Sequence, residues 1–417
     1  MTDSKRAADP RRSAFLAVGI SAALILSACG IEPGDSATAS SDASAGASAG
    51  GGEPVGGGEP SGVLNFTNWP LYIDQDDDGN SPTIQQFEDE TDIDVTYSEA
   101  IQDNTSFFGT IQPQLQAGQD TGHDIIVVTD WMIGNMIALG YLEPIDVDRD
   151  VPNFGEHAAD KYKDRSYDPG NQYSVPYQSG ITGIGYNPEL VDEEITSLSQ
   201  LFDPEFIQKY CGQIGMFSEM RDVISLALLY NGVTPAEATI EEVEEAQAVL
   251  LEQAECVRGY YGNEYADDFA NGSLAITMAW SGDVFQLQLD NPDLQFVVPD
   301  EGGILWTDNM AIPKGAAHPN DALAMMNYLY EPEVAAQVAE WVNYITPVPG
   351  AQDIVLQHAD DAEAEGDTET ADYLRAVAES PLVFPTDDML SRLYSYKVLT
   401  EDEERQWAEL FQEVIQG

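Results

Sequence analysis

Apolar residues along this chain fall into two rhythms, short extended runs and longer stretches with helical spacing. Val63-Leu64-Asn65-Phe66 and Ile93-Asp94-Val95-Thr96-Tyr97 alternate as half-buried strands do. Asp124-Ile125-Ile126-Val127-Val128 is apolar throughout after its first residue, the pattern of a strand covered on both faces. Further strands are predicted over 180–186, 212–217 and 274–279, with an extended apolar run over 301–313. Helical spacing predicts helices over 83–90, 104–117, 132–139, 238–254, 320–330, 332–342, 361–378 and 401–415. Strands that alternate with helices imply an α/β fold, a parallel or mixed sheet under covering helices. A chain of 417 residues can bury cores for two such units. The glycines of Gly180-Ile181-Thr182-Gly183-Ile184-Gly185-Tyr186 mark a crossover between lobes, and no helix opens after them to make a phosphate site.

The N-terminus breaks this pattern. Lys5, Arg6, Arg11 and Arg12 precede an apolar run from Ala14 to Leu26 that is too short to span a bilayer, so residues 1–28 read as an export leader. The run ends in Leu26-Ser27-Ala28-Cys29-Gly30, which resembles the lipobox of bacterial lipoproteins and implies lipidation of Cys29. Residues 30–61 are Gly, Ser, Ala, Pro and acids with no aromatic, and are expected to form a tether between a lipid anchor and the folded body.

Charge narrows the function. With 16 Lys and Arg against 74 Asp and Glu, the net charge is −58, which excludes nucleic acid as a partner because phosphate neutralisation needs bases. Adaptation to a saline habitat accounts for most of this excess; a cationic ligand would benefit from the field. Asp74-Gln75-Asp76-Asp77-Asp78-Gly79 opens like a calcium loop, but its twelfth position is Gln85, so an acidic turn is expected there and no metal. Cys211 and Cys256 remain beside Cys29, and outside the cytoplasm such a pair implies a disulfide.

Candidate chemistry gathers at strand ends, where open α/β sheets place ligands. Trp69 and Tyr72, Thr129 and Trp131, Glu219 and Asp222, and Trp280 each follow a predicted strand. Trp306 and Asp308, two apart in an extended segment, face one space and offer a ring and a charge to an organic cation. Four of the six Trp occupy these places. Glu219, Asp222 and Asp308 have no basic neighbour in sequence except Arg221, so their enclosure would require a cation from outside. A secreted hydrolase using Glu219 with Asp308 is the enzyme alternative. No nucleophile or metalloprotease motif accompanies it, and His123, His157, His318 and His358 lack metal-ligand spacing.

Asn68-Trp69-Pro70-Leu71-Tyr72, the 127–131 strand end, Glu219-Met220-Arg221-Asp222, Ala279-Trp280-Ser281-Gly282 and Glu301–Pro313 resemble, in order and spacing, the spermidine/putrescine-binding proteins of bacterial ABC importers. The resemblance implies a two-lobed periplasmic-binding-protein-like fold of type II, each lobe a mixed sheet flanked by helices, with the ligand cleft between. It implies a lobe arrangement of 62–180 (lobe 1), 181–307 (lobe 2), 308–345 (return to lobe 1) and 346–417 (C-terminal helices of lobe 2), after the leader and the 29–61 linker. It also implies hinge closure over a polyamine, delivery to an ABC permease, a monomer lipid-anchored at the outer face of the cell membrane, no cofactor and no catalysis. Trp69, Tyr72, Trp131, Trp280 and Trp306 take the place of the aromatic walls. Glu219, Asp222 and Asp308 take that of the ammonium partners, with Thr129 a polar contact. Departures are the exchanged lengths of Glu219 and Asp222, Trp131 in place of Tyr, the 74–80 insertion, and Tyr396-Lys397 where an amide is expected; these bear on which amine is preferred. Another organic cation, a quaternary amine or a thiamine-like ligand, is the alternative within the same fold.

Overall fold

The computed structural model describes residues 52–76 and 78–416. The leader, Cys29, the first part of the linker and Asp77 of the acidic turn therefore lie outside the described residues.

Among the described residues ten strands form one sheet: β1 (Val63–Thr67), β2 (Asp94–Ser98), β3 (Ile125–Thr129), β4 (Ser174–Tyr186), β5 (Ile214–Phe217), β6 (Val257–Tyr261), β7 (Ile276–Trp280), β8 (Gln295–Val297), β9 (Gly303–Ala311) and β10 (Leu393–Tyr394). Their spatial order is β2-β1-β3-β9-β4-β7-β5-β6, with β10 beside β9 and β8 beside β4. One lobe holds the parallel set β2-β1-β3; the other holds the parallel set β7-β5-β6. The antiparallel pair β4 and β9 joins them. β4 pairs with β9 from Ser174 to Thr182, then with β7 from Thr182 to Tyr186, so one 13-residue strand serves both lobes. The glycine-spaced segment was expected to cross between lobes, and this register is how it does so.

Local chemistry sets the elements. All five residues of β3 are buried, as its continuous apolar run requires. The helix Pro82–Thr91 begins with Ser81 accepting the Ile84 N–H and Pro at its first position. The helix Asn104–Gln116 is capped by Asp103, which accepts the Ser106 N–H at 2.6 Å. Ile240–Gln253 starts with a Thr239–Glu242 capping box. The single helix predicted over 361–378 is two, Ala351–Glu365 and Thr368–Glu379. Gly366 at φ 88° ends the first in the left-handed region, and Asp367 caps the second by accepting the Thr370 N–H. Strand β6 and the helix Ser281–Asp290 had no prediction.

Hydrogen bonds locate two further segments. Val55 to Ser61, placed in the linker, lie on the first lobe: the Val55 N–H donates to Pro144 O, and Asp321 accepts the N–H groups of Ser61, Gly62 and Val63. In the acidic turn Asp74 and Asp76 engage their carboxylates in hydrogen bonds. Asp74 accepts from Ser81, Thr83 and Gln337, and Asp76 from the N–H groups of Asp78 and Asn80. Among the described residues no group of three acids, His or Cys could hold a metal. Cys211 and Cys256 form a disulfide, Cα–Cα 4.2 Å, that ties β5 to the neighbouring β6.

Candidate functional site

The carboxyl ends of β1, β3, β5 and β7 all reach the junction between the lobes, where β4 and β9 cross. After β1 the chain turns sharply. Leu71 adopts φ 55°, a strained value for its side chain, with Glu99 accepting its N–H and Tyr177 donating its hydroxyl to Tyr72 O. That turn brings Tyr72 back over the sheet, where its hydroxyl donates to Asp308 Oδ2 at 3.0 Å. Thr129, opposite Asp308 in the β3–β9 register, donates to Oδ1 at 2.7 Å. Asn104 donates to the Thr129 hydroxyl and accepts the Thr129 N–H, which fixes that side chain.

Aromatic rings continue from this carboxylate. Tyr72 meets Tyr344 edge-on at 5.7 Å, Tyr344 lies 5.6 Å from Trp306, and Trp306 lies 6.5 Å from Trp280. Gly180 faces Trp306 across β4 and β9, and a Cβ there would stand 2.2 Å from the indole Cζ2. Only glycine leaves room for that ring so close to the strand. Trp280 packs on Phe217 at 4.4 Å, and its N–H donates to the Tyr265 hydroxyl.

Three further acids surround the rings. Asp222, in the first turn of the helix Met220–Tyr230, accepts from the Thr182 and Tyr396 hydroxyls, the latter at 2.7 Å. Asp283, one turn into the helix after Trp280, accepts from Tyr344 at 2.5 Å and Tyr265 at 3.0 Å. Glu219 is half-buried at the start of the Asp222 helix. Among the described residues none of Glu219, Asp222, Asp283 and Asp308 makes an ion pair. Arg221, the basic residue beside two of them, instead lays its guanidinium 3.7 Å from the Trp131 ring and pairs with Glu404. Lys397 turns away to Ala238 O and Glu403.

Burial without a counter-ion raises these acids, since a low-dielectric setting penalises the charged form. It lifts Asp308 and Asp222 to about 6 against the opposing pull of their hydroxyl donors. Burial, followed by the charges of Asp222 and Asp103, lifts Glu219 to about 8. Asp283 is also pushed up by burial, with Tyr344 and Tyr265 opposing. Asp130, between Thr129 and Trp131, reaches about 7, again through burial first.

The structure therefore brings Tyr72, Thr129, Trp280, Trp306 and Asp308 into one chain of contacts, with Asp222 joined through Thr182, which pairs with Trp280. Trp131 stands near Glu219 through Arg221. Trp69 is half-buried against the core, with its Nε1 unpartnered among the described residues. Sequence reasoning missed Asp283, Tyr344 and Thr182, and it reached Tyr396 only as the place of an expected amide. Asp283 had a usable signal, an acid three residues after Trp280 and so one helical turn on from it. Tyr344 had none, because it is joined to its acid over 61 residues, and the bond from Tyr396 to Asp222 spans 174.

Comparison with known proteins agrees with this geometry. The spermidine/putrescine-binding periplasmic protein of Escherichia coli is 30% identical over 312 residues, covering 74% of this chain and 85% of that protein. A putrescine/agmatine-binding protein of Pseudomonas aeruginosa is 28% identical over 71% of this chain and 79% of its own length. Among solved structures, the spermidine/putrescine ABC transporter substrate-binding protein of Streptococcus pneumoniae superimposes with a TM-score of 0.69 at 27% identity, over 85% of this chain and 98% of that one. The two lobes are those of a type II periplasmic binding protein. Residues 83–369 match the bacterial extracellular solute-binding protein family, and the chain belongs to that family.

Proposed function

We propose that this protein captures linear polyamines of the putrescine–spermidine class outside the cytoplasm and delivers them to an ABC permease. One observation carries the reading: Asp308 is buried beside the Tyr72–Tyr344–Trp306 rings, holds two hydroxyl donors and has no basic partner among the described residues. An aliphatic diamine supplies what such a place lacks. Its ammonium donates to the carboxylate's free lone pairs, and its methylenes and charge lie on ring faces. Asp222 and Asp283 offer further carboxylates for a second or third ammonium, each already oriented by two hydroxyls. The names of the polyamine-binding relatives support the same ligand class.

Capture proceeds by hinge closure, with β4 and β9 as the shared strands about which the lobes move. The lobe boundaries are proposed near 180, 307 and 345. Cys29 anchors the chain through its lipid, with export by the preceding leader; labelling with a radioactive fatty acid in wild type and Cys29→Ala tests this step. Trp69, Trp131 and Trp280 complete the walls, and Glu219 stands at one end.

Titration calorimetry of ligand-stripped protein against putrescine, spermidine and glycine betaine tests the function. Heat is expected with one or both polyamines and none with betaine, whose quaternary nitrogen has no hydrogen to donate to Asp308. Silence with both polyamines ends this reading, and a response to betaine alone replaces it with the quaternary-amine one.

A further inference from the structure

Gln178 lies directly across from Asp308 in the β4–β9 ladder. Opposed residues of an antiparallel pair point to one face of the sheet, with Cβ atoms roughly 4.5–5.5 Å apart. Two neighbours show which face this is. Gly180, two residues on, directs its Cβ position into the Trp306 ring, so Gly180 and Gln178 share the side of Trp306 and Asp308. Ser179 between them turns the other way, its hydroxyl 3.0 Å from that of Thr307, which lies between Trp306 and Asp308. The irregularity in β4 falls between Pro176 and Gln178 and leaves this alternation intact.

The Gln178 side chain is only 2% exposed, and its Oε1 has no hydrogen-bond partner among the described residues. A buried carbonyl without a donor carries a desolvation cost that the empty protein does not offset. The hydroxyls around Asp308 are already committed: Thr129 and Tyr72 donate to Asp308, and Tyr177 donates to Tyr72 O. Beside the amide is a small cavity lined by Met310, Ala335, Val338 and Thr346, which leaves the side chain room to turn.

We propose that Gln178 Oε1 is a second acceptor for the ammonium that Asp308 holds, and that this end of the site takes a primary amine. The assignment rests on the polyamine reading. A primary ammonium carries three N–H groups. Each Asp308 oxygen accepts one hydroxyl and keeps a lone pair, so one or two of the three go to the carboxylate and another is left for the amide oxygen on the neighbouring strand. A mid-chain secondary ammonium has one N–H fewer and a second carbon to place. The amide adds no charge; it acts through hydrogen-bond geometry and leaves the electrostatic attraction to Asp308.

Gln178→Met keeps the length of the side chain and removes its polar atoms. Titration calorimetry with putrescine and spermidine, and thermal unfolding without ligand, are run on the stripped full chain of wild type and variant. Expected is a fall in affinity of about tenfold, the worth of one hydrogen bond from a charged donor, with the empty variant melting no lower than wild type. Undiminished affinity overturns the assignment. A fall accompanied by a lower melting temperature of the empty protein also overturns it, because the amide is then structural. The crystal structure of the wild-type spermidine complex decides independently of how the variant folds. A terminal ligand nitrogen within ~3.2 Å of both Gln178 Oε1 and an Asp308 oxygen supports the assignment. A secondary nitrogen in that place, or a water or protein donor on Oε1 instead, overturns it. No heat from wild type with either polyamine ends the function and this role together, whereas wild-type heat that persists in full in Gln178→Met ends the role alone.

Discussion

Replacing Asp308 by Asn removes one charge and almost no volume, and so separates the site's chemistry from its packing. The scaffold around it survives, because the Tyr72 and Thr129 hydroxyls that now donate to Asp308 can each rotate toward an amide. Thr129 stays fixed by Asn104. What disappears is the acceptor charge for a ligand ammonium. A hydrogen bond to a charged group contributes ~1.5–3 kcal/mol, so polyamine affinity should fall about 10- to 150-fold. Titration calorimetry reads the loss directly. Thermal unfolding reads it again: ligand at 100 times its Kd stabilises by ~2.7 kcal/mol, and the same concentration after a 100-fold loss gives only ~0.4 kcal/mol. Without ligand the variant should melt no lower than wild type. Burial raises the Asp308 carboxyl to about 6, which means that its charge is an uncompensated burden in the empty fold. Wild-type affinity in the variant would refute the reasoning. So would a large drop in melting temperature of the empty protein, which would make Asp308 a structural acid.

Polyamine binding should weaken as the pH falls through about 6, since Asp222 and Asp308 must be ionised to hold a cation while the amine stays charged; calorimetry from pH 5 to 7 checks the sign. Gly180→Ala should destabilise by ~1–3 kcal/mol and weaken binding, because its Cβ falls 2.2 Å from Trp306 Cζ2; denaturant unfolding and Trp fluorescence report both effects. Reducing the Cys211–Cys256 bond, which closes 45 residues of chain, should cost up to ~4 kcal/mol of stability with little change in affinity, since β5 and β6 still pair; urea unfolding with and without reductant measures it.

What was legible in the sequence was whatever depends on near neighbours. The apolar run of β3 announced its own burial, and Trp306 two residues before Asp308 announced a ring and a charge facing one way. The split at Gly366-Asp367 should have been legible by the same logic, since a glycine followed by a capping acid is a helix end followed by a helix start; apolar spacing on both sides masked it. The acids differ among themselves in this respect. Asp308 sat beside an indole in sequence and could be found, whereas Asp283 gains its meaning from Tyr265 and Tyr344, hydroxyls 18 and 61 residues away. Lys397 shows the opposite error. Next to Tyr396 it threatened to place a repelling charge in a cation site, yet the backbone sends the tyrosine to Asp222 and the lysine outward to Glu403. A carboxylate's usefulness to a cationic ligand depends less on its own identity than on what already satisfies it. Hydroxyl donors orient Asp222, Asp283 and Asp308 without cancelling their charge, while a single arginine or lysine turned inward would have filled the place that a ligand's ammonium is left to take.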